Sequence, residues 1–473
     1  MSDVYRRVYH SLPPALRSVG ASLHGYRLRW WRYGMDFDRR VGEALERDTW
    51  SADRWKSWQD DQLARLLHRA ITRVPYYREA WSERRRRGDK SSPEILANWP
   101  VLHRDSVRAN PSAFLADDCN IRKMYEDHTS GTTGTPLSIW LTRAAVSGWF
   151  AIFEARTRLW HGVSRHDRWG ILGGQAVVPA NQKKPPYWVW NAGLNQLYMS
   201  AMHIASWSSR AYIEAIQKYE LKFLVGYSSS LYLLALEAKA MGVRLPLKAV
   251  VTNAEPLFDY QRNAMQEGFN CTVQETYGNG EYSCGSSECS SGRLHLWPEV
   301  SVMEILDDSA NPVPNGTPGR IISTGLLNTD MPLVRYDTRD RGQMSADRSP
   351  CSCQRSMPVL QKVWGRWDDV IVTKDGRIPV LLDRVFDPPL RVREGQIIQE
   401  AIGEFRVRVV PAEGWSAADE TILCDSLREL VGEANIKVEL TQQIERTWAG
   451  KFRIIISKVG KQNLPSDGLT LPS

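Results

Sequence analysis

The sequence has no long hydrophobic run and few cysteines. Its longest apolar runs, such as Leu231 to Leu236, fall far short of the ~20 residues that cross a bilayer, so we expect no transmembrane helix. The N-terminus lacks the continuous apolar core of a secretory signal, so export is not expected. Seven cysteines, an odd number, then predict free thiols or metal ligands in a reducing compartment, and we expect a cytoplasmic protein.

Basic residues do not identify a nucleic-acid partner. The formal net charge of +7 is modest for 473 residues, and no recognised motif accompanies the arginine run 84–87. We therefore expect no nucleic-acid partner. The basic, aromatic N-terminal segment, which includes residues 27–32, could contact an anionic membrane surface peripherally, but we favour a solvated helix packed on the domain.

The predicted secondary structure changes along the chain. Residues 1 to about 110 read as helical, with apolar residues at helical spacing up to Pro75 (Leu63, Leu66, Leu67, Ile71, Val74). Up to about residue 255, helical patterns alternate with short apolar runs, which favours an α/β layer arrangement with crossover helices. Short alternating stretches separated by turn residues predict a β-rich subdomain over 284–360, and a small α+β unit follows Arg366.

The segment from His128 to Pro136 is rich in hydroxyls and glycines (His-Thr-Ser-Gly-Thr-Thr-Gly-Thr-Pro). Glycines let the backbone approach an anion, and adjacent N–H groups and hydroxyls donate to phosphate oxygens. The segment is not a Walker A loop, because Thr135-Pro136 follows Gly134 where that motif needs Lys and Ser or Thr. A phosphate-binding loop and an ordinary turn both remain open from these residues alone.

Five segments in order resemble the adenylate-forming superfamily. They are the loop 129–136, Glu275-Thr276-Tyr277-Gly278-Asn279-Gly280-Glu281, the run 331–340 ending in Asp340, Gly365-Arg366-Trp367-Asp368-Asp369, and Gly450-Lys451-Phe452-Arg453. Ala254-Glu255-Pro256 and residues 392–399 extend the likeness toward the phenylacetate-CoA-ligase-like branch, especially its members associated with capsular and exopolysaccharide synthesis. The resemblance implies an N-terminal ATP- and acid-binding domain over 1–365 and a mobile C-terminal domain over 366–473.

The resemblance also implies roles for individual residues. It assigns the β- and γ-phosphates of ATP to the loop (Ser130, Gly131, Thr132, Thr133, Gly134). It assigns Mg²⁺ to Glu281, with Thr133 as a second ligand. It places Tyr277 and the segment Ala254-Glu255-Pro256 beside the adenine, Asp340 at the ribose hydroxyls and Arg366 at phosphate or ribose oxygens. The full nucleotide-binding set that it implies has eight further members (Ala254, Glu255, Pro256, Glu275, Tyr277, Gly278, Asp340, Arg366). A carboxylate such as that of Asp340 has enough acceptor sites for two ribose hydroxyls.

Lys451 is the strongest catalytic candidate. An ammonium on a flexible stem can stabilise charge on the attacked phosphate and leave when the domain rotates, and Asp368 matches the hinge of that rotation. Together with Lys451, Thr133 and Glu281 form the implied catalytic set. Two residues depart from the family pattern: Arg339 stands where glycine usually precedes the ribose-binding Asp, and Thr135 replaces the commoner lysine of the loop.

A second constellation pairs Cys289 and His295 with Cys351 and Cys353. Three thiols and an imidazole could close a tetrahedral structural Zn²⁺ site, with Cys284 as an alternative ligand. The spacing fits no common zinc-finger template, so buried free cysteines remain open. Similar Cys/His arrangements in phenylacetate-ligase-like proteins favour zinc.

The expected function is that of an AMP-forming ligase. A carboxylic acid would react with ATP to give an acyl-adenylate, and an acceptor, CoA by default, would displace AMP. Two alternatives stay open: an amide- or ester-forming ligase that acts on an amine or sugar in polysaccharide or metabolite synthesis, and a non-catalytic adenylate-binding protein. Residues around 173–175, 206–207 and 226–228 are candidates for the acid pocket.

Overall fold

The computed structural model describes residues 3–128, 137–347, 349–366, 371–374, 382–387, 389–447 and 450–459. The N-terminal region is helical, as its periodicity predicts. Its helices are α1 (Asp3–Ser11), α2 (Pro14–Arg32), α3 (Phe37–Arg47), α4 (Ala52–Arg73), α5 (Pro75–Arg86) and α6 (Arg104–Ala109). Helix α4 buries Leu66 and Leu67, and α5 begins at Pro75, whose fixed φ and missing N–H suit the first helical position.

Parallel strands and crossover helices follow, also as predicted. A hairpin of β1 (Tyr125–His128) and β2 (Ser138–Leu141) leads into α7 (Arg143–Phe153). Next come β3 (Trp169–Gly173), β4 (Trp188–Asn191), β5 (Gln196–Ser200), α8 (Ser206–Lys218), β6 (Phe223–Gly226), α9 (Ser228–Ala240), β7 (Ala249–Thr252), α10 (Asp259–Phe269) and β8 (Thr272–Gly278). Strands β5, β3, β6, β7 and β8 are parallel neighbours in that order.

The β-rich stretch continues the same sheet. Its strands are β9 (Gly285–Glu288), β10 (Leu294–Leu296), β11 (Ser301–Leu306), β12 (Gly319–Gly325), β13 (Tyr336–Met344) and β14 (Val359–Arg366). They pair antiparallel, and β9 joins them to β8. Strands β3 to β14 therefore form one twelve-stranded sheet, with β3–β8 from the α/β region and β9–β14 from the β-rich stretch. The two stretches do not form separate sheets.

The C-terminal unit has its own sheet and core. Strands β15 (Val392–Ala401), β16 (Glu404–Pro411), β17 (Asn435–Leu440) and β18 (Ile455–Ser457) form a four-stranded sheet in the order β17-β16-β15-β18. Helix α11 (Ala417–Val431) starts at the predicted Ser416/Asp419 capping box and buries Leu423 and Leu427 against this sheet. The α+β character expected after Arg366 is confirmed.

Candidate active site

The predicted site residues meet at one edge of the large sheet. Tyr227 follows β6, Ala254 to Pro256 follow β7, and Gly278 ends β8. The carboxyl ends of parallel strands lie at the same edge, which is where open α/β sheets bind ligands. Segments far apart in the sequence are therefore brought together by the strand order.

The phosphate-loop residues Ser130, Gly131, Thr132, Thr133 and Gly134 lie outside the described residues. The two ends of the loop are defined, because His128 and Ser138 are directly paired in the β1–β2 hairpin. Ser138 Oγ lies 3.1 Å from His128 Nδ1. The loop thus connects two adjacent strand ends.

Tyr277 and Asp340 are joined by a hydrogen bond. The Tyr277 hydroxyl donates to Asp340 Oδ2 at 2.9 Å. Burial and the nearby Asp340 carboxylate raise the pKa of Tyr277 well above its usual value, so the phenol keeps the proton that it donates. A Cβ at Gly278 would lie 3.1 Å from the Cys284 carbonyl oxygen and 3.2 Å from the Trp149 ring, so a side chain there would crowd this pair's surroundings.

Arg339 adopts a left-handed backbone conformation, which favours glycine. Its φ of 63° lies in the left-handed region, which costs a non-glycine residue on the order of 1–2 kcal/mol. Its N–H donates to Asp337 Oδ1 at 2.9 Å, and its guanidinium donates to Asp105 at 2.8 Å. Two polar contacts therefore hold the strained residue just before Asp340.

Glu281 is buried and anchored through one oxygen. Arg104 Nη1 and the Tyr336 hydroxyl donate to Glu281 Oε1 at 2.8 and 3.0 Å, and the residue is 5% exposed. Glu281 is therefore a buried carboxylate and not an exposed loop residue. Arg104 comes from α6, in the region expected to be scaffold, and no local motif in the sequence points to it.

Glu255 connects the two parts of the molecule. Its Oε2 accepts the Ser229 N–H at 3.0 Å, and its Oε1 accepts the Phe452 N–H at 2.6 Å. Burial raises the pKa of Glu255, whereas these N–H donors and Arg446 oppose that rise. Ala254, just before it, has a φ of 61°, so the chain turns sharply where the carboxylate is presented.

Glu275 lies on β8, two residues before Tyr277. Burial, with the Glu288 carboxylate as a second cause, raises the pKa of Glu275 to about 7. Glu288 accepts the Glu275 N–H at 2.7 Å and an Arg262 N–H at 3.0 Å. Glu275 therefore keeps its proton to a higher pH than an ordinary glutamate does.

Lys451 reaches the large domain. Its Nζ lies 5.9 Å from the centre of the Tyr227 ring, and the residue is half-buried. The preceding Gly450 has a φ of 74°, and a Cβ there would lie 3.3 Å from Ala201 Cβ. Thr447 closes the loop, because its hydroxyl accepts the Lys451 N–H at 3.1 Å.

The segment expected to act as a hinge begins beside the adenine-binding candidates. A Cβ at Gly365 would lie 3.6 Å from Pro256 Cγ, and Asp340 pairs with Arg366 between β13 and β14. The Arg366 side chain and the whole of Asp368 lie outside the described part of the structure. Their predicted roles stay predictions.

The acid-pocket candidates differ in burial. Tyr227 is buried near Lys451, and Gln175 donates its N–H to the Tyr198 hydroxyl at 3.3 Å. Trp207, by contrast, is 61% exposed and contacts Tyr187 edge-on. Gln175 is exposed as well, so the buried residues 226–228 suit a pocket better than Gln175 or Trp207 does.

The Cys/His constellation comes together as predicted. The ligand atoms of Cys289, His295, Cys351 and Cys353 all lie within 4.8 Å of one another. Cys289 Sγ is 3.7 Å from Cys351 Sγ, close to the separation of about 3.8 Å that two ~2.3 Å Zn–S bonds give at a tetrahedral angle. His295 Nδ1 lies 3.1 Å from the Met357 carbonyl oxygen, which leaves Nε2 to face Cys353 Sγ at 3.3 Å.

Cys284 is not part of this cluster. The four ligand atoms come from β9's end, β10 and the loop 351–353, whereas the Cys284 thiol lies close to Tyr277. Burial raises the pKa of the Cys284 thiol, with the Asp340 carboxylate as a further cause. The prediction of Cys284 as an alternative ligand is therefore not supported by its position.

Comparisons with known proteins agree with this geometry. Residues 371–458 match the family described as the CapK C-terminal domain. The chain is 24% identical over 396 residues to Protein CapK of Staphylococcus aureus, covering 81% of this chain and 85% of that protein. It is 25% identical over 351 residues to the phenylacetate-coenzyme A ligase of Thermus thermophilus, covering 70% and 74%.

The chain is similar to adenylate-forming ligases in sequence and in fold. Its fold matches the crystal structure of 2-hydroxyisobutyryl-CoA ligase in the postadenylation state with a TM-score of 0.68, at 20% identity, covering 87% of this chain and 91% of that one. This likeness confirms the predicted α/β fold with a small C-terminal domain.

Proposed function

We propose that this protein is an ATP-dependent, AMP-forming acid ligase. A carboxylate oxygen of the substrate would attack the α-phosphorus of ATP, the bond to the β-phosphate bridging oxygen would break, and acyl-adenylate and pyrophosphate would form. The observation that carries the proposal is the docking of the Lys451 loop onto Glu255, at the strand edge that also presents Tyr277 and Asp340. Sequence relatives named phenylacetate-coenzyme A ligase support the same reaction class.

The nucleotide would be held from several sides. Asp340, oriented by the Tyr277 hydroxyl, offers acceptor oxygens to ribose hydroxyls, and the loop 129–136 offers donors to the phosphates. Glu281 fits a magnesium ion, because Arg104 and Tyr336 both use Oε1 and a hard cation bridging phosphates needs few protein oxygens. Mg²⁺ there would neutralise phosphate charge. Lys451 would stabilise the charge that develops on the attacked phosphate.

The experiment that tests this function is ATP–pyrophosphate exchange with a panel of carboxylic acids. We expect exchange that depends on Mg²⁺ and on one chemical class of acid. A protein that binds ATP yet catalyses no exchange with any acid would instead be a non-catalytic adenylate-binding protein. Binding and exchange are therefore measured on the same preparation.

For the acceptor, CoA is the default, and an amine or hydroxyl of a polysaccharide precursor is the second candidate. The match of residues 371–458 to the CapK C-terminal domain favours this alternative, because in such ligases the small domain reorients for the second half-reaction. The acid that supports exchange is therefore supplied with saturating CoA and followed by mass spectrometry. Rapid stoichiometric acyl-CoA formation would exclude an obligatory amine or hydroxyl acceptor.

We also propose that Cys289, His295, Cys351 and Cys353 hold a structural Zn²⁺ ion. Four protein ligands leave no open position, which is typical of structural rather than catalytic zinc. The Met357 carbonyl would fix the histidine tautomer so that Nε2 binds the metal. Metal analysis of purified protein should then find about one zinc per chain.

A further inference from the structure

The N-terminal helices carry an apolar stripe that nothing in the described structure covers. Five side chains of α2 are at least half exposed: Leu16 at 50%, Val19 at 54%, Leu23 at 68%, Tyr26 at 55% and Trp30 at 53%. Their spacing of three and four residues confines them to an arc of about 80° on the helix. The helix exposes these side chains together, whereas scattered single exposed apolar residues are ordinary on a protein surface.

The opposite face of α2 is packed on the large domain. Ser18 Oγ accepts the Trp190 N–H at 3.2 Å, and Ser22 Oγ accepts the Ala192 N–H at 3.0 Å. A Cβ at Gly25 would lie 1.7 Å from Asn191 Oδ1, so the helix backbone approaches the domain closely there. The predicted packed helix is therefore present, and its packing fixes the stripe on the outside.

Basic side chains flank the stripe on both sides. At 100° per residue, Arg27 lies about 20° beyond one margin of the stripe and Arg29 about 60° beyond the other. Both are exposed, and within the described residues no acidic side chain forms an ion pair with either. Val4 to Met35 contains six arginines and no Asp or Glu. Toward the end of the helix Arg32 lies near Asp127, so Arg27 and Arg29 provide the outward positive charge.

The end of the stripe carries a further cation. Arg143 Cζ lies 4.0 Å from the centre of the Trp30 ring, and its Nε donates to the Trp30 carbonyl at 3.2 Å. An indole beside a guanidinium combines an apolar body with a group that binds phosphate, as side chains at membrane–water interfaces do.

We propose that the exposed face of α2 binds an anionic lipid surface, with the helix lying in the plane of the interface. The stripe would enter the boundary between headgroups and acyl chains, while Arg27 and Arg29 stay at the lipid phosphates. None of the described helices has both the length and the apolarity needed to cross a bilayer, so contact through this face would be peripheral.

A lipid surface suits this face better than a second copy of the chain. Two α2 helices packed stripe to stripe would bring the Arg27 and Arg29 pairs of both copies together, and α2 has no acidic residue to compensate them. Anionic headgroups neutralise the same charges. The charge pattern therefore favours lipid over self-association.

The test is flotation of the full chain with vesicles of phosphatidylcholine alone or mixed with phosphatidylglycerol. We expect binding to the anionic vesicles that is at least about tenfold stronger than to neutral ones and that weakens at high salt. Leu23→Gln with Trp30→Gln, and separately Arg27→Gln with Arg29→Gln, should each reduce it about tenfold or more.

Matched controls change the same side-chain types elsewhere. Ile95→Gln with Ile422→Gln removes two exposed apolar side chains, and Arg86→Gln with Arg87→Gln removes two exposed charges. Thermal unfolding and ATP–pyrophosphate exchange check that every variant folds. The proposal would be overturned by absence of vesicle binding, by equal binding to both vesicle types, or by an equal loss of binding in the controls. It would also be overturned if analytical ultracentrifugation found a dimer that Leu23→Gln with Trp30→Gln dissociates, without any lipid binding.

Discussion

At the scale of single residues, Lys451 owes its position to a tight loop rather than to a helix or strand. Gly450 supplies the left-handed turn, Thr447 closes the loop, and the Phe452 N–H fastens it to Glu255. The ammonium group is thereby held near Tyr227 while the stem stays long enough to move. A lysine held in this way can stabilise charge in one step and withdraw in the next.

Lys451→Ala should slow acyl-adenylate formation by about 10²–10³-fold, because it removes charge stabilisation that acts in the transition state. The measurement is ATP–pyrophosphate exchange with the acid that the wild type uses. Lys437→Ala, which removes an exposed lysine of the same domain, should leave exchange unchanged. Undiminished exchange in Lys451→Ala would remove this residue from the catalytic set.

Glu275 predicts a pH dependence of stability. Its folded-state pKa of about 7 lies above the unfolded value of about 4.3, so between these values the folded chain retains a proton that the unfolded chain has released. The free energy of unfolding should therefore fall as the pH rises from about 4.5 to about 7, and this contribution should stay constant above that window.

Glu275→Gln should remove this dependence. The variant should match the wild type near pH 4.5 and exceed its free energy of unfolding by ~3–4 kcal/mol near pH 8. Urea unfolding across the pH range provides the measurement, with Glu433→Gln as an exposed control. If Glu275→Gln and the wild type keep the same pH profile, the raised pKa does not belong to Glu275.

Residue contacts were less predictable from the sequence than residue identities. Tyr277, Asp340 and Lys451 stand within short motifs, so their types and order could be recognised without a structure. Arg104 could not, because its partner Glu281 is 177 positions away and nothing local distinguishes it from other arginines. Likewise, Arg156 pairs with Glu299 and Asp48 deep in the core, and no sequence pattern predicts these partners.

At the scale of elements, periodicity predicted most strands and helices because burial imposes it. The strands Phe223–Gly226 and Ala249–Thr252 are buried along their whole length, as continuous apolar runs of parallel strands should be. Pairing between distant strands produces no such periodicity in the sequence. The junction of β8 with β9, which merges the parallel and antiparallel regions into one sheet, was therefore not predicted.

The Cys/His cluster ties the end of β9 and strand β10 to the loop that precedes β14. Cys351→Ser should lower the melting temperature and the zinc content together, because a lost ligand weakens the metal and the metal stabilises the folded state. Exchange activity measured well below the melting temperature should change much less. Cys424→Ser, outside the cluster, is the control.

Two results would contradict the zinc assignment. One is metal-free protein whose melting temperature equals that of the metal-containing protein. The other is an equal loss of stability in Cys351→Ser and Cys424→Ser, which would point to thiol packing rather than to metal binding.

At the scale of the whole molecule, polar contacts between described residues hold the small domain against the large one. Besides the Glu255–Phe452 bond, Arg393 on β15 donates to Glu237 on α9 at 2.6 Å. Arg446 and Glu394 form a buried pair inside the small domain beside this contact. A domain that must rotate between two half-reactions needs contacts of this modest strength, because strong ones would hold one orientation.

Arg393→Ala should therefore weaken the observed domain orientation and slow acyl-adenylate formation about two- to fivefold, since a partly exposed ion pair contributes ~0.2–1 kcal/mol. Glu255→Gln should have a larger effect, because the buried amide would turn an N–H group toward one of the two backbone donors that the carboxylate accepts. Single-turnover measurement of acyl-adenylate gives the rates.

Arg406→Ala is the matched control, because Arg406 has the same 30% side-chain exposure as Arg393 but pairs with Glu400 inside the small domain. If Arg393→Ala and Arg406→Ala form acyl-adenylate at the same rate, the contact with Glu237 does not support the catalytic orientation, and docking of the Lys451 loop depends on Glu255 instead.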